Sequence, residues 1–233
     1  MSDGDASRGT QATRLRDWME KHPSGVLLSV QLLAIVLYPL LQDVVGRAVF
    51  GAFGMLVLAL AVWVVNRNPG VNWIGWLLAV PAVGLSVGAA IQSHEEWLAA
   101  GYVCEALLYL YAAATLTAYM LSDKRVTLDD LFAIGATFTL LAWAFAYAYA
   151  ACQLQFPGSF TGAVDPDEPR GWMELLFLSF STLSSTGLSD VIPISPAARA
   201  LSMLEMFAGV MYMAMVVARL VGLVSSRGVS KDD

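Results

Sequence analysis

Phe180–Asp190 reads F-S-T-L-S-S-T-G-L-S-D, a small, hydroxyl-rich loop with one glycine and a closing carboxylate. The chemistry open to such residues is coordination by oxygen. The apolar run that leads into it, Trp172–Leu183, is too short to span a bilayer, and Ile192-Pro193 and a new long apolar stretch follow. Irregular backbone at membrane depth is tolerated only where it is buried in protein or lines a watery path. A re-entrant helix that hands over to such a loop aims backbone carbonyls at a passing cation. The expectation is an ion-selectivity filter.

The elements that must position this loop are membrane spans. Of the 233 residues, 58% are hydrophobic and 14% charged, with a mean hydropathy of +0.63. Soluble domains are less apolar and more charged, and here the excess falls in long runs. About 20 apolar residues cross the hydrocarbon core. Six stretches qualify: Val26–Leu41, Val45–Val65, Trp73–Ile91, Trp97–Leu121, Leu128–Gln153 and Ala197–Val224. The expected fold is therefore an all-α membrane protein of six transmembrane helices, with the re-entrant helix and loop between the fifth and sixth. Its parts are a cytoplasmic N-terminal segment (1–24), a four-helix membrane domain (25–122), a two-helix pore domain with its loop (127–224) and a short cytoplasmic tail (225–233).

Charge sets direction. With the N-terminus in the cytoplasm, Arg8, Arg14, Arg16, Lys21, Arg67, Lys124, Arg125, Arg219, Arg227 and Lys231 lie inside, against Arg47, Arg170 and Arg199 outside. That asymmetry obeys the positive-inside rule and puts both termini in the cytoplasm, in a plasma (bacterial inner) membrane. The loop then opens outward beneath Asp165, Asp167 and Glu168, a cluster that reads as a solvated loop or a cation-gathering vestibule. No cleavable signal peptide is expected, and the short tail leaves no room for a nucleotide- or calcium-binding domain. Thr10–His22 reads either as an interfacial helix or as a partly ordered tail.

Other chemistries find little support. No nucleophile with a base and orienting partner stands out, nor any phosphate-binding glycine loop, so an enzyme is not expected. Neither a cofactor nor a nucleic-acid partner is expected. His94-Glu95-Glu96 lacks the neighbouring Cys or His of a metal site. Cys104 and Cys152 read as small buried hydrophobes rather than a disulfide. The fourth span carries no Arg or Lys, which argues against a charged voltage sensor.

Residues 171–223 resemble the pore module of tetrameric potassium channels. Three matches carry the resemblance: F-S-T-L-S-S-T-G-L-S-D against F-x-T-L-T-T-V-G-Y-G-D; the D-x-x-P-x-(S/T)-P-x-A-R segment at Asp190, Pro193, Ser195, Pro196 and Arg199; and L-x-M-L-E-x-x-x-G at Leu201, Met203, Leu204, Glu205 and Gly209. Length and span number are similar to those of the small bacterial six-span members. The resemblance implies a homotetramer in which Ser184, Ser185, Thr186, Gly187, Leu188, Ser189 and Asp190 form the filter. Potassium (or sodium) would bind at the carbonyls of Ser185, Thr186, Gly187 and Leu188, with the Ser185 hydroxyl. Two departures matter: Ser189 stands for the second glycine and Leu188 for the tyrosine that braces the filter. Non-glycine residues in left-handed backbone cost roughly 1–2 kcal/mol, so the two outer sites are expected to be widened or missing while the inner two survive. S-T-G-L-S is also similar to the single-glycine loops of the Trk, Ktr and HKT uptake proteins, although those carry four loops on one chain. The implied function is a potassium-permeant cation channel, weakly selective over sodium. The alternative is a non-conducting structural or sensory relative.

Several intramembrane residues keep two readings. Asp190 forms a ring of carboxylates at the mouth, or holds the outer end of the filter by hydrogen bonds. Glu174 suits the positive end of the short helix. Glu205 is expected to bond the pore helix rather than an ion. Glu105 is either protonated or paired with a group on another helix such as Arg47. Gly209 is a hinge or a close-packing site. Met211, Met213, Met215 and Val216 form a hydrophobic gate, or make ordinary lipid or helix contacts.

Overall fold

The computed structural model describes residues 21–40, 77–82, 84, 85, 88, 95–122 and 127–229. Five helices are delimited there: α1 (Pro23–Leu37, continued by a 3-10 turn over Tyr38–Leu40), α2 (Glu95–Ser122), α3 (Leu128–Gln155), α4 (Trp172–Leu183) and α5 (Pro196–Val229). Two short strands, β1 (Phe160–Thr161) and β2 (Ile192–Pro193), pair antiparallel, with Phe160 opposite Pro193.

Four of these segments are long and apolar enough to cross a membrane: Pro23–Leu40, Trp97–Ser122, Leu128–Gln155 and Pro196–Gly222. They fall on the first, fourth, fifth and sixth expected spans. The second expected span, Val45–Val65, lies outside the described residues. Of the third, the described positions 77–82, 84, 85 and 88 are helical. Thr10–Glu20 and Arg47 also lie outside.

Among the described elements helix α3 is central, with α1, α2, α4 and α5 all packed against it. Its sequence explains why. Small side chains let neighbouring backbones approach, and Ala133, Ala136, Ala142, Ala144, Ala146 and Ala150 are all buried. Between them Trp143 and Tyr149 are fully buried. Aromatic pairs in offset or edge geometry add to the packing. Tyr109 of α2 stacks on Tyr147 with centroids 5.5 Å apart, and Trp143 meets Trp172 of α4 edge-on at 5.1 Å.

Helix α3 starts cleanly. Thr127 Oγ1 accepts from the Asp130 amide at 3.2 Å while Asp130 Oδ2 accepts from the Thr127 amide at 2.8 Å, a reciprocal cap. The neighbouring Asp129 turns to α1, accepting from the Ser24 amide at 3.1 Å and the Ser24 hydroxyl at 2.9 Å. Helices α1 and α3 thus begin from one clasp. Both cysteines are free; Cys152 is buried and Cys104 half-buried.

Candidate functional site

The loop after α4 is placed by what holds α4, and the hold begins with Arg170. This side chain is buried, and its guanidinium donates to the carbonyls of Val164 (2.9 Å), Asp165 and Glu168 (2.6 Å) and to Glu174 Oε1 (3.2 Å). The acidic segment Asp165–Glu168 is wrapped around it through main-chain oxygens, while its side chains stay exposed. Gln153, at the end of α3, reads the Arg170 backbone in both directions at 2.9 and 3.0 Å. One residue on, the Gly171 amide donates to Glu174 Oε2 at 2.5 Å, so Glu174 caps α4 at its positive end. Sequence reasoning identified Glu174 but missed Arg170 and Gln153. The available signal was the i, i+4 spacing of Arg170 and Glu174 across the start of the helix.

Helix α4 then runs antiparallel to α3: Trp172 lies against Trp143 and Tyr147, and Phe180 lies against Phe138. Midway, the Ser179 hydroxyl lies 2.8 Å from the Ala142 carbonyl of α3 and bonds Glu205 of α5. Glu205 is wholly buried and also bonds the Tyr149 hydroxyl, which lies 3.1 Å from Ser202 Oγ. At the end of α4, a Cβ on Gly209 would lie 2.1 Å from the Leu183 carbonyl oxygen. Gly209 is thus a site of close packing of α5 on the last turn of α4.

Beyond Leu183 the chain turns back, and Val191 is buried again before β2 pairs with β1 beside the end of α3. Residues 184–188 are exposed in the single chain. Their backbone is organised by one residue, Ser181. Its carbonyl accepts from the amides of Thr186 (3.0 Å) and Gly187 (3.2 Å), and its hydroxyl accepts from the Ser189 amide (3.0 Å). The peptide bonds are all trans, and in a planar trans peptide the C=O points opposite to the N–H. With those three amides aimed at α4, the carbonyls of Ser185, Thr186 and Leu188 point away from it, toward the exposed side.

Backbone handedness follows the same short stretch. Ser185 has φ +59° and Gly187 φ +67°, while Thr186, Leu188 and Ser189 have no positive φ. The alternation therefore runs through Gly187 and stops before Ser189. At Ser185 the left-handed conformation is held by a non-glycine residue, whose amide bonds the Thr182 carbonyl at 3.0 Å. The Ser184 hydroxyl takes the Phe180 carbonyl at 2.6 Å and meets Thr186 Oγ1 at 3.0 Å.

The remaining residues from the sequence are placed as follows. Asp190 is exposed at the end of the loop, so the reading of a buried brace does not hold within one chain. Ser189 Oγ instead caps the Val191 amide at 3.1 Å. Glu105 lies on α2, away from the loop and within electrostatic reach of Tyr102, Tyr109 and Tyr147. Met211 and Met213 are exposed on α5 with Met203, Leu204 and Phe207, whereas Tyr212 turns inward and donates to the Ile134 carbonyl at 2.6 Å. Among the described residues there is no metal-holding cluster of His, Cys, Asp and Glu. What the site can do chemically is present main-chain and hydroxyl oxygens to a cation.

No curated protein and no solved structure matches the chain. Residues 134–226 match the family model described as "Ion channel". The match takes in α3 from Ile134 onward, the whole of α4 and its loop, and α5 as far as position 226, so this part of a multi-pass membrane protein is similar to ion-channel domains.

Proposed function

We propose that this protein is a potassium-permeant cation channel, assembled as a homotetramer around the loops that follow α4. The observation that carries the reading is the backbone of residues 184–189. Three amides bond to Ser181 and left-handed conformation alternates at Ser185 and Gly187. Such alternation lets successive carbonyls face one side, where they replace the hydration shell of a cation. One chain offers one quarter of such a cage, and its exposed residues 184–188, with the apolar outer face of α5, provide the surface that copies would share.

In this reading the ligands are the carbonyls of Ser185, Thr186, Gly187 and Leu188 and the Ser185 hydroxyl, with Asp190 ringing the outer mouth. The alternation ends before Ser189, which supports a shortened filter: the inner sites are formed and the outer ones are wide. Potassium is then favoured over sodium only weakly. The outer mouth faces away from the cytoplasm, both termini lie inside, and Met213 with its apolar neighbours narrows the inner end.

Flux of potassium, sodium and an organic cation through purified protein in liposomes tests this, with Gly187→Ala alongside. A Cβ at Gly187 meets nothing within 4 Å, so the variant changes handedness and adds no clash. The left-handed penalty is roughly 1–2 kcal/mol per chain. Flux of potassium and sodium but not of the organic cation, lost in the variant, is the expected result. No flux from folded tetramers would favour the non-conducting relative.

A further inference from the structure

The buried cluster behind α4 contains four oxygen–oxygen contacts. Ser179 Oγ meets the Ala142 carbonyl at 2.8 Å and Glu205 Oε1; the Tyr149 hydroxyl meets Glu205 Oε2, and Ser202 Oγ at 3.1 Å. Each contact needs one proton between its two oxygens. Ser179, Tyr149 and Ser202 bring one proton each, and the main-chain carbonyl brings none. Three hydroxyl protons cannot fill four contacts. With Glu205 ionised, Ser179 would have to choose between the carboxylate and Ala142, leaving two acceptor oxygens facing each other in a buried site.

The electrostatic setting agrees. Glu205 has no exposed surface, and among the described residues its polar partners are Ser179 and Tyr149, with no cation in the cluster. A buried carboxylate without a cation is strongly disfavoured. Of the elements packed against it, α3 presents the titratable Tyr149, with Cys152 beside that tyrosine, and α4 presents the neutral Ser179.

We propose that Glu205 is a proton-carrying, neutral acid that donates to Ser179, and that this proton ties α4 to α3 and α5 together. The chain of donation runs from Ser202 to Tyr149, from Tyr149 to Glu205, from Glu205 to Ser179, and from Ser179 to the Ala142 carbonyl. Loss of the proton breaks the Ser179–Ala142 link and frees the middle of α4, two residues before Ser181, on which the loop hangs. Glu205 is thus a positioning residue, and the loop geometry becomes pH-dependent. The effect on flux rests on the channel reading; the proton itself does not.

The test compares the full-length protein with Glu205→Gln, both in neutral-lipid vesicles. Glutamine matches the shape, donates to Ser179 and accepts from Tyr149, but cannot ionise. Infrared difference spectra at neutral pH are expected to show a protonated-carboxyl carbonyl band in the wild type that the variant lacks. Thermal stability and flux of the wild type are expected to fall at alkaline pH, while the variant keeps both. Identical carboxyl bands in the two proteins at neutral pH would overturn the proposal, as would superimposable alkaline stability curves. If neither protein conducts, the channel reading fails, and the infrared and stability comparisons still decide the proton.

Discussion

Replacing Gly209 by alanine puts a methyl group where there is no room. Its Cβ would sit 2.1 Å from the Leu183 carbonyl oxygen, 2.9 Å from the carbonyl carbon and 3.1 Å from Cα. The obstacle is backbone, so no side-chain rotation relieves it. Restoring an ordinary carbon–oxygen contact takes a separation of α5 from the end of α4 of about 1 Å or more. Overpacking of this kind costs about 1–3 kcal/mol, at the upper end when main chain must move, and the better helix propensity of alanine offsets about 1 kcal/mol. The net expectation is a loss of about 2 kcal/mol per chain. Because Leu183 precedes Ser184 directly, the displacement enters the loop, and weakened potassium preference or lost flux should accompany it. Thermal unfolding in detergent and liposome flux would measure both. Gly222→Ala is the control, since it lies on the same helix with nothing within 4 Å of its added Cβ and should be neutral or slightly stabilising. Wild-type stability and selectivity in Gly209→Ala would refute the close-packing account. Normal stability with altered opening would instead mark Gly209 as a bending point.

Arg170→Lys should cost about 3 kcal/mol in thermal unfolding, because an ammonium cannot reproduce a fork shared among several carbonyls; the Glu174 pair adds little, since that carboxylate is 42% exposed. A stability within experimental error of wild type would show that the outer loop does not depend on it. Ser181→Ala removes the acceptor of the Ser189 amide and keeps the carbonyl that holds Thr186 and Gly187; a loss of about 1 kcal/mol and a lower potassium-to-sodium flux ratio are expected. Ser189→Gly lets the alternation continue one step further. It should raise that ratio despite losing the Val191 cap, and an unchanged or lower ratio would show that the outer end is shaped by something else.

Much of the architecture was legible because hydrophobic length is a strong signal. The described spans agree with the apolar runs to within about three residues, and the short Trp172–Leu183 helix has the limits that its composition suggests. The glycine at 187 also announced its backbone. Three things were not legible. Ser185 adopts a left-handed conformation that its residue type disfavours, imposed by its own amide bond to the Thr182 carbonyl and by those of Thr186 and Gly187 to the Ser181 carbonyl. Ser181 looks like one more small hydroxyl in a hydroxyl-rich string, and its role depends on where the chain returns after Gly187. Arg170 counted only as an outer positive charge, because its acceptors are carbonyls, which have no letter in a sequence.

The clasp of Ser24 by Asp129 has a mechanical meaning. Two parallel helices pinned at their first turns cannot slide past one another, so α1 is no independent lever. A pull on the chain ahead of Pro23 reaches α3 at Asp129. From α3 it passes through the Ala142–Ser179 bond into α4, and Ser181 hands it to the loop within a single helical turn. In the proposed channel, α1 is thereby a drawbar coupled to the loop, and tension on it would reach the oxygens of the filter.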